Sequence, residues 1–249
     1  MEAVVDVARK TLGPVGVSLP GSLTTTPHVD LQRDAVRRLE RAGYRMVWVN
    51  EVLGKDALVQ VGTLLAATDR MAFGTCIANI WARPAQTMHA AAAQLAEAYP
   101  GRFVMGLGVG YPEQAASVGR EFGRPLTTMR DYIQRMGDPT WPPAPDAPYP
   151  RIIAANGPKM LALAGQIADG AMPAMVSAEF TTQARTTLGS DKLVVVGLPM
   201  TDDVDQATAA REHLEAGADH VTMLPPLDSD FSNGVDQLER LAPALTELG

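Results

Sequence analysis

Eight short apolar runs recur along the 249 residues, each followed by a stretch with helical periodicity. Continuous apolar runs are what strands become when both faces are buried. A helix between consecutive runs allows the strands to lie parallel. The runs are Val15–Leu19, Met46–Glu51, Ala72–Asn79, Phe103–Val109, Arg151–Ala155, Ala171–Met175, Lys192–Met200 and His220–Leu224. Helices are predicted over Asp30–Arg41, Asp56–Thr68, Pro84–Ala98, Leu126–Met136, Lys159–Ala168, Ala178–Leu188, Asp203–Ala216 and Asn233–Leu248. In the first of them Leu31, Ala35, Val36, Leu39 and Ala42 share one face, and Gly43 follows as its C-cap. Eight βα units in about 250 residues predict an α/β fold, the TIM (β/α)8 barrel. The rival, a doubly wound open sheet, places a glycine-rich turn after its first strand. Here that strand runs into Leu19-Pro20-Gly21-Ser22, which is no dinucleotide fingerprint. The sixth strand is the weakest, because Pro173 interrupts it. Six prolines between Pro139 and Pro150 form a stiff extended stretch. The same alternation flanks it on both sides, so it is read as a loop inside one domain spanning residues 1–249.

Composition excludes more than it assigns. A formal charge of -7 counts against a nucleic-acid binder. No apolar run reaches the ~18 residues of a membrane span. The opening MEAVVDVARKTLGPVG carries Glu2 and Asp6 and lacks a long apolar stretch, so it does not read as a secretory signal, and a cytoplasmic location is expected. The one cysteine, Cys76, excludes internal disulfides and a thiolate zinc cage, and mid-strand it reads as a core residue. The four histidines lack metal-ligand spacing, so no metal is expected. His220 opens a strand, at the wrong end of a barrel for chemistry. The motifs of serine hydrolases, zincins and P-loop enzymes are absent.

Barrel chemistry is built from the loops at the C-terminal ends of the strands. Those ends carry Asn50, Glu51 and Lys55; Asn79, Trp81 and Arg83; Gly108, Gly110 and Tyr111; Asn156, Gly157, Pro158 and Lys159; Thr201, Asp202 and Asp203; and Pro225, Pro226 and Asp228. Glycines at 106, 108 and 110 allow close approach of backbone to a ligand, or they serve packing and turn geometry. A Rossmann turn does not fit there, since Tyr111-Pro112 follows and no helix is expected to open at Gly110. Asn156–Lys159 joins a strand end to a helix start, where amides suit an anion; a plain helix start with proline near N1 reads equally well. Glu51 reads as a proton acceptor or as a capping and salt-bridge residue. Asn79 faces the mouth or satisfies its own turn.

Trp48-Val49-Asn50-Glu51, Thr75–Asn79, Pro100–Gly110 and Ala154–Met160, with Ala168–Ala171 and Ala216–Val221, together resemble the luciferase-like monooxygenase family. The likeness is greatest to its actinobacterial branch that uses the deazaflavin coenzyme F420. It runs in order along nearly the whole chain. It implies a TIM barrel holding a deazaflavin or flavin ring at its C-terminal mouth, with a non-proline cis peptide near Ala78-Asn79 supporting the ring. The contacts it implies are Trp48, Asn50, Ala78, Asn79, Arg83, Gly108, Val109, Gly110, Asn156, Gly157, Pro158 and Lys159. Trp48, Ile77, Ala78 and Val109 form the ring slot, while Arg83, Lys159 and the amides at Gly157 hold the phosphate tail. Glu51 or Tyr111 handles a proton. The chain departs from the family at Gly108-Val109-Gly110-Tyr111, where Gly-Val-Ser-His is usual, and at Asn50-Glu51, where Pro-Glu is usual. It is also shortened between the seventh and eighth strands, which leaves the mouth open or covered by the partner chain of a homodimer. The implied function is an F420-dependent oxidoreductase moving hydride between deazaflavin and a small organic substrate. The alternatives are an FMN-dependent monooxygenase of the same family, or a non-catalytic barrel that binds a flavin-like ligand or a protein partner.

Overall fold

Strands form where apolar residues run without a break, and they curl round until the sheet meets itself. The computed structural model describes residues 4–22, 24–52, 54–201, 205–227 and 230–248. In chain order the elements are α1 (Val4–Leu12), β1 (Val15–Ser18), α2 (Val29–Arg41), β2 (Met46–Val49), α3 (Ala57–Leu65), β3 (Ala72–Thr75), β4 (Ala78–Asn79), α4 (Ala85–Ala98), β5 (Phe103–Gly108), α5 (Pro112–Ser117), α6 (Pro125–Met136), β6 (Arg151–Ala154), α7 (Pro158–Ile167), β7 (Gly170–Met172), α8 (Ala178–Leu188), β8 (Leu193–Pro199), α9 (Gln206–Glu215), β9 (His220–Leu224) and α10 (Phe231–Thr246). The strand order is β3-β2-β1-β9-β8-β7-β6-β5-β4, and a further β3–β5 pairing closes it. Every pairing between these strands is parallel. This is the expected TIM barrel, with a short β8–α9 connection.

Two apolar layers follow from the period-2 alternation of strand side chains. Val17, Val47, Val49, Phe73, Met105, Leu107 and Ile153 point outward and pack beneath the helices. Met46, Trp48, Ala72, Val104, Ile152, Met172, Leu193 and Val195 fill the interior, where Val5, Ala8 and Leu12 of α1 join them. Helix α1 was not predicted; its VVDVARKTL sequence places those three residues on one buried face.

The widest interior group is Trp48, which is fully buried. It fits because its neighbours lack side chains: a Cβ on Gly74 would overlap the indole, and one on Gly16 would lie 2.7 Å from His220 Nε2. The indole Nε1 donates to His220 Nε2 at 3.1 Å, and His220 Nδ1 lies 2.7 Å from the Gly13 carbonyl. The first contact makes Nε2 an acceptor and the second makes Nδ1 the protonated nitrogen, so the imidazole is neutral. Burial lowers its pKa to about 4. His220 is thus structural, as expected. Trp48, expected in the ring slot, belongs to the barrel interior instead.

The third run differs from expectation. It divides into β3 and β4 at a cis peptide between Cys76 and Ile77, two bonds before the Ala78-Asn79 peptide near which the resemblance implied one. A helix, α5, does open after Gly110, beginning at Pro112 with Tyr111 as its N-cap, contrary to the reading of that segment. Strand β7 stops before Pro173, and a single bridge, Ala174 to Gly197, continues the pairing beyond it. Asp202, Asp203 and Asp228 lie outside the described residues. Among the described residues no helix is long and apolar enough to cross a membrane, and no group of acids, histidines and cysteine is placed to hold a metal.

Candidate functional site at the barrel mouth

A carboxylate braces one side of the mouth. Glu51 follows β2 and is only 4% exposed. Its Oε1 accepts from the Ala57 amide at 2.9 Å, and its Oε2 accepts from the Asn79 amide at 2.7 Å. Arg83 completes the set, donating through Nη1 to Oε2 at 3.2 Å and through Nη2 to Oε1. The same guanidinium pairs with Asp56 Oδ2 at 2.9 Å. Burial opposes the charge on Arg83, but its bonds to Glu51 and the two nearby carboxylates outweigh burial, and its pKa is raised. Asp56 is also the N-cap of α3, accepting from the Leu58 and Val59 amides. Burial alone would raise its pKa; the Val59 amide and Arg83 lower it instead. One ion cluster therefore ties the β2–α3 loop to the end of β4. Arg83, expected to hold an anionic tail, has its charge matched within the protein.

The floor of the mouth is apolar. Cys76 and Ile77 are half-buried and rest on top of the interior layer. Burial pushes the Cys76 thiol up to about 11, so it stays protonated at neutral pH. Gly108 lies beside them; a Cβ there would come 2.6 Å from Ile77 Cγ1. Gly106 packs on the Thr75 carbonyl, and Thr75 Oγ1 bridges its carbonyl and amide at 2.7 and 2.9 Å. The glycine at 110 has φ +58 and closes the turn into α5, where Gln114 Oε1 accepts from the Tyr111 amide. The glycine run is thus used for packing and for a turn, and Gly108 makes room for the Ile77 side chain.

The remaining expected residues divide. Asn79 is buried; its Oδ1 accepts from the Trp81 amide at 2.9 Å and so satisfies its own turn. Ala78 is fully buried beneath the helices, not in the slot. Val109 is half-buried and accepts from Trp81 Nε1 at 2.7 Å, which ties β4 to the end of β5. Tyr111 is 71% exposed. Asn156 Oδ1 accepts from the Ala174 amide at 2.9 Å. Gly157 caps α7 without a side-chain hydrogen bond, Pro158 holds N1, and Lys159 is exposed.

Two cavities open at this end. One, of about 370 Å³, is lined by Glu51, Asn79, Trp81, Arg83 and Gln114 together with Lys55 and Asp56. The other, of about 560 Å³, lies between the β1–α2 and β2–α3 loops and includes Asn50, Lys55 and Asp56. Lys55 thus borders both, and its ammonium donates to Asn50 Oδ1 at 2.8 Å. Burial lowers its pKa to about 8, with Glu51 offsetting part of the effect. The sequence placed Lys55 at a strand end without a role, and it gave no sign that Asp56 or Gln114 would meet Glu51 and Arg83.

The profile of the luciferase-like monooxygenase family matches residues 15–189. A curated protein of Mycobacterium tuberculosis, named as a coenzyme F420-dependent oxidoreductase, is 27% identical over 176 residues, covering 58% of this chain and 51% of the relative. The 5,10-methylenetetrahydromethanopterin reductase of Methanolobus tindarius is 28% identical over 153 residues, covering 53% and 46%. The chain spans about half the length of the curated relatives it matches. Among solved structures, an F420-dependent secondary alcohol dehydrogenase with an F420-acetone adduct superposes with a TM-score of 0.72 at 15% identity, covering 93% of this chain and 98% of that one. The FMN-bound oxygenating constituent of 3,6-diketocamphane monooxygenase from Pseudomonas putida gives 0.71 at 10% identity, covering 94% and 98%. The family match spans more than half of a chain whose barrel has the same architecture as these structures, and the chain belongs to the luciferase-like monooxygenase family.

Proposed function

We propose that this barrel is an F420-dependent oxidoreductase acting on a small organic substrate. The observation that carries the reading is the half-buried apolar floor of Cys76 and Ile77 at the mouth, resting on the interior layer and flanked by the Glu51–Arg83 brace. It fits a flat, largely apolar ring. The name of the Mycobacterium tuberculosis relative, a coenzyme F420-dependent oxidoreductase, favours deazaflavin over flavin. Bound there, the deazaflavin supplies a hydride at C5, while the protein supplies orientation and electrostatics.

The chain's own residues take the following parts. Glu51 and Arg83 position the mouth: both carboxylate oxygens of Glu51 are held by donors. Tyr111, with its ring exposed at the rim, is the proton handler. With Arg83 matched internally, the anionic tail falls to Lys159 and the backbone amides near Gly157 at the start of α7. The same reading includes one domain, a cytoplasmic location, no nucleic-acid partner and a homodimer whose partner chain covers the mouth. An FMN-dependent monooxygenase is the second reading, favoured by the superposition on the FMN complex.

Lys159→Ala tests the tail assignment. Following F420 fluorescence during titration, the variant binds more weakly by about 1–2 kcal/mol, the scale of one charge-assisted contact. Added salt weakens the wild type more than the variant. Equal affinities at low and high salt, with both proteins folded, would remove Lys159 from the site.

A further inference from the structure

We propose that the cavity between the β1–α2 and β2–α3 loops is a binding site for a small hydroxylated organic anion, with Lys55 as its cationic contact. An ammonium carries three N–H donors. Among the described residues Lys55 has one hydrogen-bond acceptor, Asn50 Oδ1 at 2.8 Å, and no carboxylate within ion-pair distance. The two acids beside it are held elsewhere. Glu51 faces Arg83 and two backbone amides, and Asp56 faces Arg83 and the first amides of α3. Arg83 therefore has its charge answered in place, while Lys55 does not.

The surroundings suit a ligand with hydroxyls. Thr24, Thr25 and Thr26 line the opposite wall, and Thr63 and Gln60 line the side formed by α3. The volume of about 560 Å³ lies in the range of small-molecule sites. The lowered pKa of Lys55 agrees, because a half-buried ammonium short of partners gains most from an arriving anion. This inference rests on side-chain geometry and not on the deazaflavin reading, and its test uses protein without cofactor.

Glycerate, propionate, glycerol and inorganic phosphate are titrated calorimetrically into wild type, Lys55→Met and Lys55→Arg. Wild type binds glycerate saturably, more tightly than propionate, and also binds phosphate, while glycerol alone does not bind. Lys55→Met weakens glycerate about tenfold or more, on the scale of a lost charge-assisted hydrogen bond, and Lys55→Arg largely restores it. If Lys55→Met does not fold, Lys55→Gln, which keeps a polar end against Asn50, makes the same comparison. Three results would each overturn the proposal: no saturable glycerate binding by wild type, equal glycerate affinity in wild type and the uncharged variant, or glycerol binding as tight as glycerate binding.

Discussion

Glu51→Ala lowers stability by about 3–5 kcal/mol, the effect of removing one partner from a buried ion pair. At 249 residues this corresponds to a fall in melting temperature of roughly 10 °C. The substitution does more than remove an ion pair. It leaves the Ala57 and Asn79 amides without their acceptor, and it leaves Arg83 with Asp56 as its remaining carboxylate. Orphaned buried donors and an under-compensated buried cation both carry a desolvation penalty. The brace also joins the β2–α3 loop to the end of β4, so the loss spreads to the mouth. Glu51→Gln keeps oxygen and shape but loses the charge, and it falls between alanine and wild type. Urea titration followed by circular dichroism measures all three. A loss under about 1 kcal/mol for alanine would show that the cluster is loose in solution, as exposed pairs are.

Stability falls as the pH drops from about 6.5 towards 4, and His220 accounts for about 3 kcal/mol of that fall. Its folded pKa, about 4, lies below the ordinary histidine value of 6.5, because burial disfavours the charged imidazole. The unfolded chain takes up the proton first, so the contribution is complete above 6.5 and is lost as the pH approaches 4. His89 and His213 are shifted down as well, again chiefly by burial, and act in the same window. A comparison of wild type with His220→Gln isolates the one residue. The variant is less stable at pH 7, having lost the bonds to Trp48 and Gly13, but its melting temperature changes less between pH 7 and 4.5. Parallel profiles would mean that His220 takes up a proton without disturbing the barrel interior.

The strands were legible because an apolar run buried on both faces depends on little beyond its own sequence. Seven of the eight expected runs fall on a single strand apiece, and the barrel follows from their number and the helices between them. The third run is the exception. Nothing local marks the break at Cys76-Ile77, since Thr75, Cys76 and Ile77 read as ordinary strand residues. Helices α1 and α5 were missed for different reasons. The first has a clear amphipathic face but lies ahead of the first strand, where the βα repeat gives it no place. The second is six residues long and begins at a proline after three closely spaced glycines.

The site was less legible, because a strand-end position fixes where a residue stands but not what it meets. Glu51 and Arg83 are 32 positions apart, and only the closed barrel sets them against each other. That contact turns an expected tail-binding cation into part of a brace. Trp48 shows the same limit: alternation along β2 sends it inward, and the absence of side chains at Gly16 and Gly74 makes room for it. Its place inside the barrel depends on residues in β1 and β3, which the Trp48-Val49-Asn50-Glu51 segment does not contain. Among the described residues Lys55 stands out through what it lacks, a carboxylate partner, and a missing partner has no sequence pattern.

The central claim is that the floor formed by Cys76 and Ile77 receives a deazaflavin ring. The most direct measurement titrates cofactor-free protein with oxidised F420 and, separately, with FMN, following cofactor fluorescence and protein melting temperature together. The account predicts saturable quenching by F420 with a rise in melting temperature, as required of a ligand that binds the folded state alone, and weaker binding of FMN. Saturable FMN binding without F420 binding would favour the monooxygenase reading, and a flat response to both, in a folded protein, would contradict the account.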